Sequence, residues 1–167
     1  MQMIVAPNDS ISFEKPSVFL GGAITGAPDW QASAIEMLSQ TFATCFNPRR
    51  PEGFVGPAHP KYHQLYREQV SWEHKYLLVA EVVLFWLPKE AAAITTRFEI
   101  GWYFGLNYQA DKSRPLHRFT VGIEPGVAGE TYYRIALPEQ GVPVHSSLED
   151  TCNWAAKLAS EGQNEPA

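Results

Sequence analysis

Two glutamates in apolar surroundings are the residues best placed to do chemistry in this sequence. Glu99 stands between Phe98 and Ile100 in Thr96-Arg97-Phe98-Glu99-Ile100-Gly101, and a carboxylate is seldom set among such neighbours for packing. A rival reading is concrete: Thr96-x-x-Glu99 has the spacing of a capping box, in which the carboxylate only holds a helix N-terminus. Spacing alone does not choose between the two. Helix N-terminal amides favour negative charge, so this location is expected to keep Glu99 ionised at neutral pH and fit to attack. Glu73 follows Trp72 in a helical pattern that sets Gln69 one turn away and Tyr76 three residues on. It reads either as a solvated residue or as a partly buried one, whose raised pKa would let it pass a proton to a leaving group. One ionised and one protonated carboxylate are the minimum set for breaking a glycosidic bond with retention, so glycosyl transfer or hydrolysis is the chemistry expected.

Two loops offer ligand contacts. Gly21-Gly22-Ala23-Ile24-Thr25-Gly26 ends a short apolar run, where the chain must turn and backbone amides can face an oxygen-rich ligand. Its glycines do not have dinucleotide-fingerprint spacing, and Asn47-Pro48 stands where an acidic ribose ligand would, so NAD binding is disfavoured. An ordinary strand-to-helix turn explains the loop equally well. Asn47-Pro48-Arg49-Arg50-Pro51 gathers an amide and two cations in a proline-stiffened turn. Either one arginine reaches a polar ligand edge while the other makes a structural ion pair, or both lie on the surface. Trp30, Trp72 and Trp102 lie near these loops as candidates for stacking on a base, although core packing is the default for tryptophan. His59 and His63 lack a third ligand, so no metal site is expected. Neither a Gly-x-Ser-x-Gly elbow nor a Walker loop is present.

The elements that must hold these residues alternate. Strands are expected at 17–20, 43–46, 81–87, 119–123 and 142–144, and helices from Asp29 to about Phe42, 61–79, 96–107, 130–136 and from Leu148 to about Ser160. On the first helix Trp30, Ala34, Met37 and Leu38 are expected to share a buried face, and on the second Leu65, Trp72, Tyr76 and Val79. Such alternation predicts an α/β fold: a doubly wound, open parallel sheet of about five strands with helices on both faces. Its ligand crevice would lie at the carboxyl ends of the strands, lined by the loops after Leu20, Phe46, Leu87 and Ile123. One domain over residues 1–160, with a polar tail at 161–167, suits the chain of 167 residues, of which 45% are hydrophobic. The net charge of −5 is spread without a basic stripe, which disfavours a polynucleotide partner. Without a long apolar run or a leader-like start, a cytoplasmic protein away from membranes is expected. Cys45 and Cys152 form neither a disulfide framework nor a metal pattern, and Cys45 reads as a small buried hydrophobe.

The strand Val18-Phe19-Leu20-Gly21-Gly22, the Asn47-Pro48-Arg49-Arg50 loop, His59-Pro60-Lys61-Tyr62, the pair Trp72-Glu73, the strand into Leu87-Pro88 and Phe98-Glu99-Ile100-Gly101 follow one another in an order that resembles the nucleoside 2-deoxyribosyltransferase-like family. The resemblance covers residues 17 to 125. It implies a flavodoxin-like sheet and a double displacement in which Glu99 attacks C1′ of a 2′-deoxynucleoside and a second nucleobase then takes the deoxyribosyl group. It implies Glu73 as the group that protonates the departing base and Arg50 as a base contact. Gly21, Gly22 and Thr25 would floor the sugar site, with Ala23, Asn47, Trp72, Thr95 and Tyr103 completing the substrate contacts. It implies no metal or organic cofactor, 2′-deoxynucleosides and free nucleobases as ligands, and a homo-oligomer whose neighbour reaches the sugar 5′-hydroxyl, a role for which 130–133 is a candidate. Two departures stand out. Phe19 replaces a first-strand tyrosine near the nucleophile, so that another group such as Tyr103 would have to orient Glu99, and Ala93 replaces an acidic residue, with Thr95 and Thr96 as substitutes. The same crevice also suits a hydrolase of deoxynucleoside 5′-monophosphates, although the first loop has only Thr25 to hold a phosphate, or a nucleotide-sensing module without turnover.

Overall fold

The central run Val82–Leu87 is buried at every position, so it forms a strand that must be covered on both faces. Around this β4, the computed structural model describes residues 1–10, 12–109 and 118–163. The other strands are β1 (Gln2–Val5), β2 (Ser17–Gly22), β3 (Thr44–Asn47), β5 (Arg118–Ile123) and β6 (Val144–His145). All pair in parallel in the order β1-β3-β2-β4-β5-β6. From β2 onward this is the order of a flavodoxin-like doubly wound sheet, as expected. The sheet has one strand more than predicted, because β1 adds to the outer edge of β3. Only Ile4 of β1 is buried, which leaves little periodic signal in so short an edge strand.

Helices α1 (Trp30–Leu38) and α5 (Leu148–Gln163) cover one face; α2 (Tyr62–Val79) and α3 (Ile94–Gln109) cover the other, with α4 (Glu130–Ala136) beside them. The strand period of two divides the core. Val83, Phe85 and Leu87 join Tyr76, Leu77 and Ile100 on the α2/α3 side, while Val82, Leu84 and Trp86 join Trp30, Leu38 and Cys152 on the α1/α5 side. Full burial of a side chain such as Leu77 or Ile100 contributes about 1.5–3 kcal/mol. Cys45 is buried in that second cluster, and burial pushes its thiol up to about 12, as suits a small hydrophobe.

Several expected positions shift. Asp29 caps α1 by accepting from the Ala32 amide at 3.2 Å, but the helix ends at Leu38 and Met37 is exposed. Gln31 is buried in its place and is held by a polar contact. Val79 is exposed at the end of α2, where Leu77 turns inward. The helix α3 begins at Ile94 rather than Thr96, because Ile94 is exposed and gives no apolar periodicity to mark the start. The helix α5 continues through 161–163, and 164–167 lie outside the described residues. Among the described residues no helix is long and apolar enough to cross a membrane.

Close packing dictates both glycines that end β2. A Cβ on Gly21 would stand 2.6 Å from the Phe85 ring, and one on Gly22 would press into the Trp30 ring and stand 2.6 Å from the Trp86 carbonyl oxygen. Gly22→Ala is therefore expected to destabilise the protein by about 1–3 kcal/mol, read as a lower urea midpoint. An unchanged midpoint would show that α1 can move away at little cost.

Candidate active site

The winding direction switches between β2 and β4, and there the carboxyl ends of the strands open into a cleft of about 230 Å³. Four segments wall it: Gly21–Thr25 after β2, the loop from Pro48 to Phe54 after β3, one side of α2, and the turn from Ala93 into α3. The loop after β5, also expected there, does not contribute. It lies one strand away from the switch, and Glu124 is held against the loop after β4 by Lys89, whose Nζ is 2.8 Å from its carboxylate.

Glu99 lines the cleft at 5% exposure. It is the sixth residue of α3, beyond the first-turn amides, and Thr96 is the third helical residue rather than the cap. The capping-box geometry is therefore not formed. Ala93, immediately before the helix, holds a left-handed φ of 49°, a strained backbone for a residue with a Cβ. No side chain among the described residues hydrogen-bonds Glu99. Burial first, and then the charge of Glu73, push its pKa up to about 8. This corrects the expectation of an ionised carboxylate at a helix N-terminus: desolvation outweighs the helix amides when the group sits past them.

Glu73 lines the same cleft from α2 and is half-buried. Burial raises its pKa too, opposed by a hydrogen bond from Gln69 and by the charge of Arg50. With both carboxylates pushed up, the cleft retains at neutral pH a proton that two ordinary carboxylates would have lost. A polar chain supports the pair. Arg50 Nε donates to Gln69 Oε1 at 2.7 Å, while Gln69 Nε2 donates to the Pro48 carbonyl at 2.9 Å and to Glu73 Oε1 at 2.8 Å.

The two arginines separate. Arg49 is structural: it pairs with Asp29 at 3.2 Å, donates to Gln31 Oε1 at 2.9 Å and reaches the Pro28 carbonyl at 2.9 Å, tying the β3 loop to α1. Arg50 turns to the cleft. Of the other predicted contacts, Gly21, Gly22, Ala23, Thr25 and Thr95 line it. Trp30 lies behind the first loop and braces it by donating from Nε1 to the Ala23 carbonyl at 2.9 Å.

Three predicted contacts lie elsewhere. Asn47 faces its own turn, where Oδ1 accepts from the Arg49 amide at 3.0 Å. Trp72 packs against Phe19 and Tyr76 behind the wall and donates to the Asn8 carbonyl at 2.8 Å. Tyr103, one turn beyond Glu99, points its ring at the sheet, edge-on to Phe85 and Phe119. It therefore does not line the cleft to orient Glu99. Trp102 also lies away from the loops, tilted against His74. Glu130 is engaged locally: Arg134 Nε of the same helix donates to it at 2.8 Å, and the Gly126 amide in the turn before the helix at 2.9 Å.

Phe19, which the resemblance sets near the nucleophile, lines the cleft, and the cleft residues without an evident signal in the sequence are chiefly apolar or aromatic: Phe54, Tyr66, Val70 and Ile94. Tyr66, Gln69, Val70 and Glu73 fall at i, i+3, i+4 and i+7, so extending the Gln69–Glu73 face by one turn would have found two of them.

The family described as nucleoside 2-deoxyribosyltransferase like matches residues 15–112, a span that holds the described residues lining the cleft. No curated protein matches the chain.

A carboxyl whose folded-state pKa is raised contributes most stability below its unfolded value, and that contribution is lost as pH rises to the folded value. For Glu99 the window runs from 4.5 to about 8. Glu99→Gln is therefore expected to match the wild type near pH 4.5 and to exceed it above pH 8 by on the order of a few kcal/mol. Thermal unfolding across that range tests this, and equal midpoints at high pH would contradict the burial of a destabilising charge.

Proposed function

The chain belongs to the nucleoside 2-deoxyribosyltransferase-like family, and on that premise we propose that it moves a 2-deoxyribosyl group from one nucleobase to another by double displacement. The observation that carries this reading is that half-buried Glu73 and buried Glu99 line one cleft, desolvation strengthening the hold of each on a proton. The reactive form has the shared proton on Glu73. That arrangement removes the Glu73 charge, which adds to burial in raising Glu99, and leaves Glu99 as the carboxylate. A Glu99 oxygen then attacks C1′ of the nucleoside, the N-glycosidic electron pair departs with the base, and the Glu73 proton goes to the leaving base nitrogen. In the second half a ring nitrogen of the incoming base attacks C1′, its proton returns to Glu73, and the bond to Glu99 breaks. No bond to a metal or organic cofactor is required.

A nucleoside suits the cleft better than a nucleotide. Among the described lining residues Arg50 is the one cation, and the first loop offers a 5′-phosphate nothing beyond Thr25 and backbone amides. The homo-oligomer that the family resemblance implies has a suitable surface beside the cleft. Ile94 and Phe98 on α3 are exposed, as are Tyr132 and Ile135 on α4, and Arg97 bridges the two helices to the Ala128 carbonyl and the Tyr133 ring. Sedimentation as a monomer at working concentration would refute that assembly.

Incubating the protein with a 2′-deoxynucleoside and a different free base is expected to yield new nucleoside; free sugar alone would mean hydrolysis, and neither product would refute turnover. Glu99→Ala should reduce exchange about a thousandfold or more while the protein stays folded. Because one proton on the pair is required, kcat/KM should fall as pH rises through about 8 and the last proton leaves. Glu73→Gln should lower the maximal rate and remove that alkaline limb. Persistence of the same limb in the variant would contradict the shared proton.

A further inference from the structure

Arg50 lines the cleft, and among the described residues Nε is its one hydrogen-bonded guanidinium nitrogen. Its side chain is 7% exposed, Nε is engaged by Gln69 at 2.7 Å, and Nη1 is 4.0 Å from the Glu52 carboxylate. The guanidinium carbon lies 5.6 Å from the centre of the Phe54 ring, which also lines the cleft. Nη2 is buried with no hydrogen-bond partner among the described residues. A buried guanidinium donor without an acceptor is costly, and a guanidinium has no lone pair with which to accept. Gln69 cannot adapt to a different ligand, because its oxygen takes the Arg50 proton and its amide nitrogen donates to both Pro48 and Glu73. This wall of the cleft is therefore fixed as a hydrogen-bond donor.

We infer that Arg50 makes the cleft selective for nucleobases that present an exocyclic carbonyl oxygen, against counterparts that carry an amino group at the same ring position. This rests on the proposed use of the cleft for nucleosides and free bases. A carbonyl oxygen, alone or with a neighbouring ring nitrogen, accepts from a guanidinium in the plane of the base. An amino group at that position sets donor against donor and leaves the guanidinium without the acceptor a carbonyl oxygen supplies. Sites built to hydrogen-bond a particular group reject the analogue that lacks it far more strongly than apolar pockets reject a change of size. The selection is by edge chemistry, so it applies to matched pairs of one ring size: hypoxanthine over adenine, and uracil over cytosine.

The test measures calorimetric binding of these four free bases to the full chain, and in parallel their use as incoming bases in exchange. In whichever pair binds more tightly, the oxo base should bind about tenfold or more tightly than its amino counterpart. Arg50→Met should bring that ratio close to one. Equal or tighter binding of the amino base overturns the inference, and so does a preference that survives in folded Arg50→Met. If that variant fails to fold, the wild-type ratio alone decides. Exchange without the preference sinks this inference alone, preferential binding without exchange sinks the transferase reading alone, and failure of all four bases to bind sinks both.

Discussion

Two carboxylates confined to one poorly hydrated cleft impose the constraint around which the rest of this molecule is arranged. Neither Glu73 nor Glu99 can ionise without opposing the other, and burial adds to that opposition at both sites. The surrounding residues relieve only one side. Arg50 and Gln69 support charge on Glu73 through a hydrogen bond and a nearby cation, whereas Glu99 has burial and a like charge around it. The asymmetry therefore makes Glu99 the stronger proton binder in the empty cleft. In the proposed reaction the proton must cross to Glu73 before attack, and protonation of Glu73 itself removes part of what holds the proton on Glu99.

Such a pair is tolerable only on a rigid support. Glu99 stands on α3, whose Ile100 and Tyr103 are buried against the sheet, and Glu73 stands on α2, anchored by Trp72 and Tyr76. Both helices lie on the same face, and β2 and β4 bring their near ends to the switch point. The opposite face contributes indirectly: Trp30 packs against Gly22 and bonds the Ala23 carbonyl, and Arg49 ties the β3 loop back to α1. The adjacent arginines thus divide the work, one holding the loop in place and the other facing the cleft. The strained backbone at Ala93 sits where the chain must turn from β4 into the helix that carries Glu99.

Much of the fold was legible in the order of the chain, because alternating periods of two and 3.6 report which face of each element is buried. The edge strand β1 escaped, since an exposed edge needs little apolar pattern, and the end of α1, both ends of α3 and the end of α5 moved for the same reason. The candidate site was legible where residue type was unusual for its neighbours, as at Glu99, Glu73 and Arg50. Trp72 and Tyr103 were near in sequence to the cleft yet face away from it, because orientation depends on packing partners distant in the chain, Asn8 for Trp72 and Phe85 and Phe119 for Tyr103, whereas Asn47 is taken up by its own turn.

By itself, then, the sequence determined that strands and helices alternate, that two glutamates lie in apolar surroundings, and that the chain resembles one family through the order of its short motifs. Only the tertiary structure decided that the two glutamates share a cleft, that Arg50 rather than Arg49 faces it, and that Glu99 binds its proton more firmly than a helix terminus would suggest. The physical reason is that hydrophobic periodicity is a local property of the chain. Desolvation and charge proximity depend instead on which distant segments the sheet brings together, here 26 residues apart along the chain from Glu73 to Glu99.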